Sequence, residues 1–128
     1  MELYKNFTPE IKWPNDILIN GKKTTGILTE MISETDRIQA LLIGIGINVN
    51  QSLEDFPQEL HTIATSLSIE EGERLERVHL VAKVLEFLEH YSDHYVKHGF
   101  PRIKKLWEES SGTIGKQVKA TTLREVVK

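Results

Sequence analysis

Two short stretches of this sequence bring together residues able to handle a charged, flat ligand. Lys12, Trp13, Pro14, Asn15 and Asp16 place a cation, an aromatic ring, a rigid turn, an amide and a carboxylate in consecutive positions. Lysine neutralises phosphoryl oxygens, and Asn and Asp oxygens suit a hard cation such as magnesium that keeps several waters. The same residues also describe an ordinary Pro-Asn-Asp turn with Trp13 as a core plug, the reading that composition alone favours. Further along, Leu42-Ile43-Gly44-Ile45-Gly46-Ile47-Asn48-Val49 has the pattern of a strand. Alternation turns Ile43, Ile45, Ile47 and Val49 to one face, expected to be core, and Leu42, Gly44, Gly46 and Asn48 to the other. That second face is bare backbone ending in an amide. It suits close approach by a flat ligand or by another protein element packed on the glycines.

Gly26, on a neighbouring predicted strand, removes one more side chain and makes a shallow trough across adjacent strands the natural geometry. Lys23 stands near one end of that strand, where an ammonium could meet a carboxylate or phosphoryl oxygen. Taken alone, Lys23 beside Lys22 at a hairpin tip reads first as a solvated charge. A dinucleotide-binding loop fails on order. Gly44-Ile45-Gly46-Ile47-Asn48-Val49 lacks the third small residue and opens no helix.

These residues need a sheet to hold them. Asn20-Gly21 suits a two-residue turn with two positive φ angles, which predicts a hairpin within Lys12 to Glu34, with strands at about 16–19 and 23–33. Glu34-Thr35-Asp36-Arg37 predicts a second turn into a third strand, Ile38 to Asn50. Residues 51–72 lack sustained periodicity and read as a long connection with a short helical turn near Gln58 to Ile63. Leu75, Val78, Ala82, Leu85, Leu88, Tyr91 and Tyr95 recur at spacings of three and four, which predicts one apolar stripe on a helix from about Glu73 to Lys97. The acidic run Glu70, Glu71, Glu73 would serve the start of that helix. Gly99 and Pro101 end it, and a second helix follows with Ile103, Leu106 and Trp107 inward. Gln117 to Val127 returns to β-like residues and predicts a single strand without a local partner, the first strand of a further β module.

The bulk properties exclude more than they select. The sequence has 128 residues, 39% apolar and 27% charged, enough for one globular domain with its own core. A net charge of -3 provides no global attraction to nucleic acid. The absence of cysteine removes disulfides, thiol catalysis and cysteine metal sites, and is compatible with a reducing compartment. No apolar run is long enough to span a bilayer, and no leader-like start is present, so the expectation is a soluble cytoplasmic chain with no membrane partner. Of five histidines, His90 and His94 fall four apart on one helix face. They lack the acidic residue of a zinc-protease motif, and the favourable end of the helix dipole accounts for them.

Lys12 to Asp16, then Lys22-Lys23-Thr24-Thr25-Gly26-Ile27-Leu28-Thr29-Glu30, then Gly44-Ile45-Gly46-Ile47-Asn48-Val49-Asn50, resemble in order and spacing the catalytic domain of biotin protein ligases. The similarity continues through Ile63-Ala64-Thr65-Ser66-Leu67 and the tyrosine-bearing helix to Gly115, and is nearest to the bifunctional ligase and biotin-operon repressor type. The resemblance implies an α/β (α+β) fold with a mixed, largely antiparallel sheet and packed helices, of the class II synthetase-like kind. Residues 1–112 would form the second half of the catalytic domain, and 113–128 the start of a C-terminal SH3-like β-barrel. It also implies ATP-dependent activation of biotin to biotinyl-5'-AMP and transfer to a lysine of a biotin carboxyl carrier protein, without a covalent enzyme intermediate or a tightly bound prosthetic group.

Residue by residue, Lys23 resembles the family lysine that contacts the biotin carboxylate and the acyl-phosphate oxygens. Gly26, Ile27, Leu28, Gly44 and Gly46 would line the biotin slot with it. Asn15 and Asp16 resemble the residues that organise ATP phosphate and magnesium, Lys12 would add positive charge, and Asn48 would contact the nucleotide. The family's Gly-Arg-Gly-Arg loop has no counterpart, since no glycine here precedes an arginine, and the winged-helix DNA reader of the repressor type is also missing. The resemblance therefore implies that this chain alone neither ligates efficiently nor binds operator DNA. It also implies a homodimer in the longer protein, with the strand from Gly26 to Ser33 as its surface. Two other readings stay open: a non-catalytic ligand-binding or dimerisation module of the same fold, and a relative acting on lipoate or octanoate.

Overall fold

A computed structural model of the chain describes residues 6–121 and 126–127. β1 (Glu10–Lys12), β2 (Asp16–Ile19), β3 (Lys22–Glu34) and β4 (Arg37–Ile47) form an antiparallel sheet in sequence order. Among the described residues, parallel pairing is limited to the isolated bridges Ile11 with Ser111 and Lys23 with Ala64. Asn20 and Gly21 take φ of 50° and 76°, the left-handed pair that a two-residue hairpin turn with right-handed strand twist requires. β1 was not anticipated. Lys12 pairs with Asp16, so Trp13-Pro14-Asn15 is itself a tight connection with a cis Trp13–Pro14 bond. The turn reading of this motif is right locally, but Trp13 is no core plug: it is 66% exposed.

The core sits at one end of the sheet. Ile19, Val49, Leu67 and Leu80 are buried together, with Phe7, Ile47, Leu75 and Val84 packed around them. Beyond Gly26 and Gly46 the β3–β4 hairpin runs on as a two-stranded ribbon, and Leu28, Met31, Leu41, Leu42, Ile43 and Ile45 are exposed on it. The expectation that Ile43, Ile45, Ile47 and Val49 form one core face therefore holds only at Ile47 and Val49. Alternation assigns residues to faces, but burial requires a second layer, and among the described residues that layer covers only the sheet end next to the helices.

After β4, which ends three residues before the predicted Asn50, the connection folds into short 3-10 turns at Leu53–Asp55 and Gln58–Leu60 and then α1 (Leu67–Glu71). α1 was missed. Ser66 caps it, accepting from the Ile69 amide at 3.2 Å, and Gly72 closes it at φ 86°. Ser66 is fully buried, and its hydroxyl also donates to the Gln51 carbonyl at 2.6 Å. Ser66→Ala is expected to cost about 1–2 kcal/mol, combining a lost cap with a Gln51 carbonyl left only the long 3.5 Å bond from Ser68 Oγ. Urea unfolding monitored by circular dichroism measures this, and an unchanged midpoint would remove the cap from the account.

α2 (Arg77–His98) starts four residues later than predicted. The acidic run therefore lies before it. Glu70 belongs to α1, where its carboxylate accepts from Thr65 Oγ1 and Asn20 Nδ2, tying α1 to the β2–β3 turn. The inward side of α2 is carried by Leu80 and Val84, whereas Val78, Leu85, Leu88, Tyr91 and Tyr95 of the predicted stripe are exposed. α3 (Pro101–Ser110) begins at Pro101 and half-buries Ile103, Leu106 and Trp107 as expected. At the C-terminus, β5 (Ala120–Thr121) pairs antiparallel with β6 (Val126–Val127). The strand predicted there to lack a local partner is thus part of a small hairpin; residues 122–125 of it lie outside the described residues.

Candidate functional site

A β-bulge positions the lysine. Ile17 pairs with Thr25 but Leu18 pairs with Lys23, leaving Thr24 as an extra residue on β3. Thr24 and Thr25 are consequently both buried, with their hydroxyls 3.3 Å apart. Strict alternation would send Lys23 and Gly26, three residues apart, to opposite faces. The extra residue reverses that parity. A Cβ added at Gly26 would stand only 3.3 Å from Lys23 Cε and 3.4 Å from Nζ, so the lysine lies across the glycine. Any side chain at 26 would push it away.

The ammonium of Lys23 donates to Asp16 Oδ1 at 2.9 Å, with the two side chains 50% and 24% exposed. At that exposure the pair adds little to stability, and its value lies in orientation. Lys23 is held from its other side by the long connection, which takes the place of β4 there: its amide donates to Ile63 O at 2.9 Å and its carbonyl accepts from Thr65 N at 3.0 Å.

Asp16, Gly26 and Gly46 form one row across three strands, and Leu28 opposite Gly44 forms the next. With Asn15, Lys23, Ile27 and Ile45 they line a hollow of about 660 Å³. Ile27 and Ile45 are paired and alternate to the opposite face, so they reach the hollow through their backbone. The only described atom within 4 Å of a Cβ built at Gly44 is Leu28 O at 3.8 Å, and at Gly46 it is Gly26 O at 4.0 Å. These are ordinary contacts. Neither glycine is required by packing among the described residues, and the bare backbone stays open.

Eight of the predicted residues thus meet at one hollow: Asn15, Asp16, Lys23, Gly26, Ile27, Leu28, Gly44 and Gly46. Two do not. Asn48 lines an adjoining hollow of about 400 Å³ that shares Lys23, Gly26 and Gly46 with the first. Its amide group donates to Thr65 O at 3.2 Å and its backbone to Thr24 O at 2.8 Å, so it anchors the long connection to β3. Lys12 lines a separate, largely apolar hollow with Trp13, Pro14 and the segment after α3. Asn15 donates its side-chain amide to Ile27 O and accepts from Ile27 N through its backbone, leaving Oδ1 for a ligand.

Leu60, Ile63 and Ala64, which line the adjoining hollow, were not singled out as site residues. The spacing of Ser66 and Gly72 could have found them, since placing α1 fixes the segment before it beside β3. An ammonium over a glycine, a carboxylate beside it and two further glycines make a seat for a flat molecule with an anionic end, next to room for a second group.

Fold and site together define a sheet with an open, backbone-lined hollow headed by a lysine–carboxylate pair. Residues 4–48 match the family described as Biotin/lipoate A/B protein ligase. The bifunctional ligase/repressor BirA of Bacillus spizizenii is 54% identical over 114 residues, covering 89% of this chain and 35% of that protein. The biotin--[acetyl-CoA-carboxylase] ligase of Paracoccus denitrificans is 28% identical, over 88% of this chain and 47% of that one. A biotin protein ligase from Aquifex aeolicus solved in complex with biotin and ATP superposes with a TM-score of 0.77 at 29% identity, over 93% of this chain and 48% of that one. The chain thus spans about a third to a half of the length of these relatives.

Proposed function

We propose that the chain supplies the lysine-bearing part of a biotin protein ligase site. In this reading the hollow over Gly26, Gly44 and Gly46 seats biotin, and the adjoining hollow at Asn48 takes part of the nucleotide. The biotin carboxylate attacks the α-phosphorus of ATP, the α–β phosphoanhydride bond breaks, and pyrophosphate leaves. The amine of a carrier-protein lysine then attacks the acyl carbon, AMP leaves, and the amine loses a proton. Lys23 donates to the carboxylate and phosphoryl oxygens as charge builds on them, while Asp16 aims it beforehand. Holding both reactants in line contributes the rest. The observation that carries this reading is the Lys23 ammonium lying across Gly26 at the head of the open glycine hollow.

Magnesium enters as part of the ATP complex. Asn15 Oδ1 and the Asp16 oxygen not paired with Lys23 are hard donors suited to a cation that retains waters and phosphate oxygens. Bound there, it would neutralise phosphate charge. The exposed ribbon supports a further element of the reading. β3 beyond Ile27 has lost its β2 partner, and apolar Leu28 and Met31 lie along it, so a second copy pairing along residues 26–33 would cover both an open edge and an apolar surface. The carrier protein, and operator DNA through a separate domain, complete the set of proposed partners, with the cytoplasm as the site of action.

The test is a chimera in which the matching 114-residue segment of Bacillus spizizenii BirA is replaced by that of this chain. Biotin-dependent AMP release by the chimera, with none from the 128-residue chain alone, is the expected pair of results. A folded chimera without biotin-dependent AMP release overturns the ligase reading and favours the non-catalytic module.

A further inference from the structure

The last turns of α2 carry a feature that the proposed ligase chemistry does not use. His90, His94 and His98 follow one another at four-residue intervals, and the sequence draws attention to the first two. The structure pairs the last two instead. The His94 and His98 rings stand with centroids 4.8 Å apart and 38° between their planes, while His90 turns edge-on to Tyr91 at 5.2 Å.

That separation has a chemical meaning. An imidazole nitrogen binds zinc at about 2.0–2.1 Å, and the ring centroid lies about 1.2 Å beyond the nitrogen, so each centroid stands about 3.2 Å from the ion. Two such rings are about 4.5 Å apart at a 90° ligand angle and about 5.2 Å at the tetrahedral angle. The observed 4.8 Å falls between these limits. Arg102, the second residue of α3, adds a further positive charge to this corner.

We propose that His94 and His98 form a bidentate site for a borderline divalent transition cation, of the zinc, nickel or copper class, at the C-terminal end of α2. Helix geometry supplies the spacing, since residues four apart share one face. The end of α2 carries the partial negative charge of its last carbonyls, which favours a cation there and works against the repulsion from Arg102. Among the described residues no group of three or more His, Cys, Asp or Glu is arranged around a common centre, so two imidazoles and waters complete the coordination. The ion would clamp the final turn of α2 just ahead of Gly99 and the start of α3.

Nickel titrated into the 128-residue chain by calorimetry at neutral pH, with magnesium as a control, tests the site. One nickel per chain and no magnesium binding is the expected result, because nitrogen donors favour the former and a hard cation prefers oxygen. His98→Asn, at an exposed position where folding is not at risk, should weaken nickel binding at least about tenfold, and His94→Gln should do the same. His90→Gln should leave it unchanged. Electron paramagnetic resonance of the copper-loaded chain should show two coupled nitrogens, reduced to one in His98→Asn. No nickel binding, or binding that survives His98→Asn or is lost in His90→Gln, would overturn the proposal.

Discussion

Gly46→Val should abolish binding of biotinyl-5'-AMP in the chimera while leaving the fold intact. Among the described residues a Cβ at 46 meets only Gly26 O, at 4.0 Å, so the strand accepts it without strain, and a β-branched residue is well suited to a strand. The two γ-methyls, however, would stand in the row that Gly46 shares with Gly26 and Asp16, over the floor of the hollow. The ligand would have to rise off the backbone and lose its contact with Lys23. A loss of at least about 100-fold in affinity, equivalent to about 2.7 kcal/mol, is expected from calorimetry. The circular dichroism spectrum and thermal midpoint should stay close to those of the parent. Undiminished affinity in Gly46→Val would mean that the ligand sits elsewhere.

Lys23→Met removes the ammonium and keeps most of the stem. Because the Lys23–Asp16 pair is only partly exposed and Lys23 itself is half in solvent, its loss should change stability by no more than about 1 kcal/mol. Its effect on chemistry should be far larger. A donor aimed at oxygens that gain charge in the transition state contributes about 10²–10³-fold to rate, and a drop of that size in biotin-dependent AMP release by the chimera is expected. The loss should fall mainly on kcat if Lys23 acts on the developing charge, and on KM if it only holds the biotin carboxylate. Equal rates for Lys23→Met and the parent would remove Lys23 from the mechanism. The opposite partner gives a graded comparison: Asp16→Asn keeps the lysine but releases its aim.

The hairpin was legible because Asn20-Gly21 encodes its turn locally, and the glycine face because strand alternation is a property of the backbone itself. α3 was legible from Pro101 and a three-to-four spacing that its packing respects. Local chemistry of this kind is set within a few residues, so it can be read from a single chain. The resemblance of Lys12–Asp16, Lys22–Glu30 and Gly44–Asn50 to biotin protein ligases carried the functional expectation further than any of these patterns could.

What the sequence by itself determined was therefore the set of groups at the site and the strands that carry them: Lys23, Asn15 and Asp16, with glycines at 26, 44 and 46. Only the tertiary structure decided how they meet. The register slip at Thr24 turns Lys23 onto the face of Gly26, and it arises from the pairing of β2 with β3, which no local propensity encodes. The seating of residues 63–65 against Lys23 depends on hydrogen bonds between segments about forty positions apart. Burial was likewise decided by neighbours. The stripe Val78, Leu85, Tyr91, Tyr95 and the isoleucines at 43 and 45 have the periodicity of core yet stand exposed, because periodicity assigns a face and only a second layer of protein can cover it.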